Sequence, residues 1–231
     1  MTLLMGVRHD HSEVSIPADG VRLCGDLHIP SGATGIVTFA HGSGSSRHSP
    51  RNRSVAGELQ EAGLATLLMD LLEEVESGDR DKVFDIELLA SRLLDAARWL
   101  GNNAETRNLR IGYFGASTGA AAALVAAARE PARVAAIVSR GGRPDMALPW
   151  LPEVKAPTLL IVGERDSPVL DWNRDAYRHL SAEKELIVVP GATHLFEEPG
   201  AMHAVAIHAC RWFVRYLSTG EARSGGKGKI R

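Results

Sequence analysis

Short apolar runs alternate with helix-patterned stretches along most of this chain, and that rhythm is the feature that most restricts its fold. Residues 36–40, 65–70, 109–114, 134–139, 158–162 and 185–189 are continuous apolar runs, the pattern of strands covered on both faces. Between them, residues 54–62, 82–101, 118–129, 171–180 and 201–217 carry apolar side chains three or four apart, as core-facing helices do. Ahead of this series, residues 14–16 and 21–29 flank Asp19-Gly20, a turn signal for an antiparallel pair. Right-handed crossovers then place helices on both faces of one sheet and gather the loops that follow the strands at a single edge. The expected architecture is an α/β fold with a mostly parallel central sheet of about eight strands. Residues 12–219 form one domain in this reading, with 1–11 and the glycine- and lysine-rich 220–231 as flexible ends.

With 26 basic and 28 acidic residues, the chain has no net field that would draw it to nucleic acid or to an anionic membrane. A small-molecule partner is the expectation, and oligomeric state is not legible. Cys24 and Cys210 lie far apart and in no CxxC pattern, so no disulfide framework or zinc knuckle is indicated, and a cytoplasmic location fits. Residues 1–7 lack the basic start and long apolar stretch of a signal peptide, and no run reaches the ~18 apolar residues that a membrane span requires. His and acidic residues do not fall at ligand spacings, so neither a metal nor an organic cofactor is expected.

The chemistry centres on Gly115-Ala116-Ser117-Thr118-Gly119, a G-x-S-x-G set directly after an apolar run and directly before an alanine-rich helix. That context is what a nucleophilic serine needs: a tight strand-to-helix turn lifts the hydroxyl off the sheet, and the flanking glycines let the backbone pass closely. A serine hydroxyl also needs a base. Of the histidines, His194 alone lies in a loop just after a late strand, whereas His203 and His208 fall within the last helix, and His9 and His11 in the unstructured start. The orienting acid should follow the strand between nucleophile and base, where Glu164 and Asp166 both stand. Asp166 lies further out from the strand end and is the preferred partner; Glu164 reads as a solvated loop charge. Developing negative charge on the substrate needs backbone donors, and the small residues of Ala40-His41-Gly42-Ser43-Gly44-Ser45-Ser46 allow this, with the amides of Ser43 and Thr118 as the expected oxyanion hole. The same loop matches neither G-x-x-x-x-G-K-[ST] nor G-x-G-x-x-G, which argues against nucleotide binding.

In this order, the HG turn, the G-x-S-x-G elbow, Gly163-Glu-Arg-Asp166 and the late-loop histidine resemble the α/β-hydrolase superfamily over residues 12–217. The compact size, with no insertion for a large cap domain, is similar to the dienelactone hydrolase-related group. His41-Gly-Ser-Gly-Ser-Ser-Arg-His-Ser-Pro-Arg-Asn52 and Ser139-Arg-Gly-Gly-Arg-Pro-Asp145 carry the likeness to its less characterised branch. Dienelactone hydrolases themselves use a cysteine nucleophile, whereas this chain has Ser117, which points to an ordinary ester as substrate.

A carboxylester hydrolase working through an acyl-serine is the leading expectation. Thioester or amide hydrolysis shares the same steps, and a non-catalytic binding protein of the same fold is the alternative from another class. Substrate recognition is expected from His41 and Gly42 beside the nucleophile and from Arg47 and Arg140, whose segments both reach the catalytic edge. A guanidinium there would favour small esters or lactones that carry an acidic group.

Overall fold

The computed structural model describes residues 10–218, and their backbone forms one eight-stranded sheet with helices on both faces. The strands are β1 (Asp10–Ala18), β2 (Val21–Ile29), β3 (Gly35–Ala40), β4 (Ala65–Met69), β5 (Arg110–Ala116), β6 (Val134–Arg140), β7 (Thr158–Gly163) and β8 (Lys184–Val189). Their spatial order is β1-β2-β4-β3-β5-β6-β7-β8. β1 with β2 and β2 with β4 are antiparallel, and every other neighbouring pair is parallel. The parallel strands thus direct their C-terminal ends, and the loops carrying the candidate residues, to one edge.

The helices are α1 (Pro50–Glu61), α2 (Arg80–Phe84), α3 (Ile86–Asn102), α4 (Thr118–Arg129), α5 (Ser167–His179) and α6 (Ala201–Leu217), with a 3-10 segment at Pro144–Glu153. Two apolar layers sandwich the sheet. On one side Leu93, Leu100, Tyr113 and Leu124 join α3 and α4; on the other Val55, Leu59, Phe114, Val138 and Phe213 join α1 and α6. Period-two alternation makes this division, since Tyr113 and Phe114 are adjacent in β5 and face opposite layers.

Several boundaries differ from the sequence reading for local reasons. The helix expected over 82–101 is two, because the Asp85 side chain accepts from the Leu88 amide and starts α3 anew. α1 begins at Pro50, four residues earlier than expected, since Ser49 caps it and proline suits its first turn. β8 is an edge strand with Val188 exposed, so it is not covered on both faces. The flexible start expected for 1–11 is too long by two residues: Asp10 and His11 pair with Ile29 and His28 in the β1–β2 ladder. The remaining terminal expectations, for 1–9 and 219–231, fall outside the described residues.

Candidate active site

The G-x-S-x-G segment joins β5 to α4 with Ser117 at φ 50°, ψ −121°, a conformation that side chains rarely adopt. Close packing enforces it. A Cβ on Gly115 would lie 2.4 Å from the Ala120 Cα, and one on Gly119 would lie 2.2 Å from the Ala40 carbonyl oxygen. Neighbouring backbone then fixes the turn: the Ser117 amide donates to the Arg140 carbonyl at 3.3 Å, and the Ser117 carbonyl accepts from the Arg143 amide at 3.0 Å.

His194 and Asp166 come from the loops after β8 and β7, and their side chains meet with Nδ1 2.6 Å from Oδ2. Asp166 is nearly buried, at 10% side-chain exposure, while His194 keeps 40%. The carboxylate accepts the Nδ1 proton, which leaves Nε2 as the basic nitrogen. The histidine loop folds back over the sheet edge, as shown by Gly141 after β6, where a Cβ would lie 3.5 Å from His194 Nδ1. Arg140 and Gly141 therefore border both the nucleophile turn and the imidazole. Glu164 is exposed, as a solvated loop charge should be, yet it has a partner. Its carboxylate accepts from the Gly191 amide at 2.7 Å and staples the histidine loop to the end of β7.

The turn after β3 lies against Ser117, with a Cβ on Gly42 only 3.0 Å from the Ser117 Cβ. Of the two expected oxyanion donors, the Ser43 amide is already engaged: it donates to the Thr118 hydroxyl at 2.9 Å. A substrate oxygen would have to share or replace that bond. His41, expected to contact substrate, has both ring nitrogens already engaged. Its Nε2 accepts from the Leu71 amide at 3.1 Å, so its Nδ1 carries the proton and donates to the Gly42 carbonyl at 2.9 Å. Burial holds its pKa below the ordinary value despite Asp70 nearby, consistent with a neutral ring that clamps the turn to the end of β4.

Arg47 also departs from expectation. Its guanidinium lies 2.5 Å from Asp70 and 3.4 Å from Asp26, and its amide donates to Asp70, so it braces the loop against β2 and β4. Arg140 is the reverse case, 7% exposed, with its Nε buried and unpartnered and no carboxylate in salt-bridge reach among the described residues. Ser43 and Thr118 also border a cavity of about 1070 Å³, floored by Leu71, Leu72 and Leu89 and rimmed by Arg47 and Asp70. Sequence reasoning missed this volume because residues 71–89 carry no motif; only the packing of the segment after β4 forms it. No His, Cys, Asp and Glu group among the described residues could hold a metal ion, and no described helix is long and apolar enough to cross a membrane.

Comparison with known proteins agrees with this fold. The model of the Dienelactone hydrolase family matches residues 34–219. A crystal structure of dienelactone hydrolase from Anabaena variabilis is 59% identical, superposes with a TM-score of 0.88, and aligns over 90% of this chain and 98% of that one. Est1E from Butyrivibrio proteoclasticus shares the fold at a TM-score of 0.76 with 15% identity, over 88% of this chain and 98% of that one. A Mycobacterium tuberculosis (strain ATCC 25618 / H37Rv) protein provisionally named a phosphoribosyl transferase is 58% identical over 205 residues, 89% of this chain and 46% of that protein. The chain thus spans about half the length of that relative. From the matched family model and the shared architecture together, this chain belongs to the dienelactone hydrolase family of α/β-hydrolases.

Proposed function

We propose that the protein is a serine hydrolase of carboxylic esters. The observation that carries this reading is the Asp166–His194 bond of 2.6 Å at the same sheet edge as the strained Ser117 turn. In the reaction, Ser117 Oγ attacks the ester carbonyl while His194 Nε2 takes its proton, and Asp166 stabilises the imidazolium through Nδ1. The carbonyl oxygen becomes an oxyanion, held by the Thr118 amide and by the Ser43 amide once it turns from the Thr118 hydroxyl. Collapse of the adduct breaks the ester C–O bond, and His194 gives its proton to the departing alkoxide, leaving an acyl-Ser117 and a free alcohol. Water, deprotonated by His194, then attacks the acyl group, releases the carboxylic acid and restores the serine. No cofactor takes part. Substrates are small esters, with an acidic group favoured by Arg140 rather than by Arg47, whose charge is already neutralised.

Hydrolysis of p-nitrophenyl esters of increasing acyl length by wild type and Ser117→Ala tests the reading. A folded Ser117→Ala protein should lose activity by several orders of magnitude, as expected when one member of a catalytic unit is removed. Retained turnover in that variant would assign the chemistry elsewhere.

A further inference from the structure

Arg140 stands apart from Arg92, the other buried arginine among the described residues. Arg92 makes two hydrogen bonds to the Glu76 carboxylate, as a buried cation ordinarily must, whereas Arg140 has no carboxylate in salt-bridge reach among the described residues. It ends β6, so alternation along Ala136, Val138 and Arg140 directs its side chain to the α1/α6 face of the sheet. There its guanidinium carbon lies 5.8 Å from the centre of the Phe196 ring, on the histidine loop. Across from it is the start of α1, which has no acidic residue in its first turn. That turn presents Arg51, whose Nε is also buried without a partner, and Asn52, 2% exposed with an unpartnered Oδ1. Arg51 reaches only Glu197, through one contact of 3.4 Å to a largely exposed carboxylate.

Arg140 thus approaches Phe196 while Arg51 reaches the adjacent Glu197, which puts both cations at the histidine loop, and burial together with the charge of Arg51 depresses the Arg140 pKa to about 10. A cation buried as Arg140 is, with a second, partly exposed cation near it, is an arrangement that a bound anion relieves. A phosphoryl dianion relieves it more fully than a carboxylate, because it sets close to two charges and three acceptor oxygens against the two cations.

We propose that Arg140 and Arg51 form a subsite for a phosphoryl group on the substrate, so that the ester attacked by Ser117 belongs to a phosphorylated small molecule. The inference rests on the serine esterase reading for the position of the reacting bond, but the anion site itself does not. Matched esters ending in a methyl, a carboxylate or a phosphate monoester test it, assayed with wild type, Arg140→Gln, Arg140→Lys and Arg51→Gln. Inorganic phosphate is examined in parallel by thermal shift at constant ionic strength.

Wild type should prefer the phosphate-bearing ester over the neutral one in kcat/KM by roughly 10- to 100-fold, the range of charge-assisted hydrogen bonds. Both glutamine variants should reduce that ratio, and Arg140→Lys should keep part of it. If Arg140→Gln does not fold, Arg51→Gln, at a partly exposed position, carries the comparison. A carboxylate ester hydrolysed as well as the phosphate ester would overturn the dianion assignment. Equal turnover of all three would overturn the subsite and leave the esterase reading standing. Should no ester be hydrolysed, a phosphate-induced rise in Tm that both glutamine variants lose would support the anion site while the esterase reading fails.

Discussion

Asp166 and Glu164 are two residues apart, yet their surroundings give them different work. Asp166 meets the imidazole, and Glu164 holds the loop that carries it. Asp166→Asn should lower kcat by roughly four orders of magnitude, because the amide would hold His194 in the wrong tautomer. Glu164→Gln retains an oxygen acceptor for Gly191, so its kcat should change by less than about tenfold, and the pair of steady-state assays separates the two roles. Glu164 ranking above Asp166 would move the orienting acid. Ser117, His194 and Asp166 were legible because each follows an apolar run in an order that one architecture explains. Arg47 was misread because its partners, Asp26 and Asp70, lie in β2 and at the end of β4, and only the pairing of those strands brings them to it. The bond that holds His41 was not legible for a similar reason, since its partner amide at Leu71 is thirty residues away.

Among the elements, the elbow and the segment after β4 are the two that shape the site, and packing constrains each. Gly119→Ala would drive a methyl group into the Ala40 carbonyl, which is backbone and cannot swing aside. Displacing β3 against α4 should cost about 1–3 kcal/mol and misplace the Ser117 hydroxyl, so urea unfolding and ester turnover should both fall. The segment after β4 is anchored by Glu76, whose carboxylate meets Arg92 of α3 and Lys82 of α2 and is held down to a pKa of about 2, chiefly by its hydrogen bonds to Arg92. A depressed carboxylate pKa stabilises the fold above the ordinary value near 4.5 and loses that contribution as pH falls toward about 2. Glu76→Gln should therefore cost about 3 kcal/mol at neutral pH, and the gap to wild type should close over that acid range when unfolding is followed against pH. A gap that stays constant with pH would mean that packing, not charge, anchors the segment. None of this was legible, because Glu76 and Arg92 sit in a stretch that reads as loop and continuous helix until Asp85 breaks it.

At the scale of the molecule, strand order and direction decide where chemistry can happen. Three loops, after β5, β7 and β8, bring Ser117, Asp166 and His194 to the same sheet edge, and the loop after β3 lies against Ser117. The parallel strands and the two-sided cover were readable from the apolar runs, whereas the cavity and the bare Arg140 depend on how segments pack. The central claim is that Ser117 is the nucleophile. The protein's own thiols, Cys24 and Cys210, are the natural rivals, and Cys24 is exposed on the wall of the cavity. Treatment of active wild-type protein with a fluorophosphonate, followed by peptide mass mapping, decides between them. The account expects a single phosphonyl adduct on Ser117 that forms in step with loss of ester turnover and is slowed by orders of magnitude in His194→Ala. Full turnover with Ser117 unmodified, or inactivation that instead tracks alkylation of Cys24 by iodoacetamide, would contradict it.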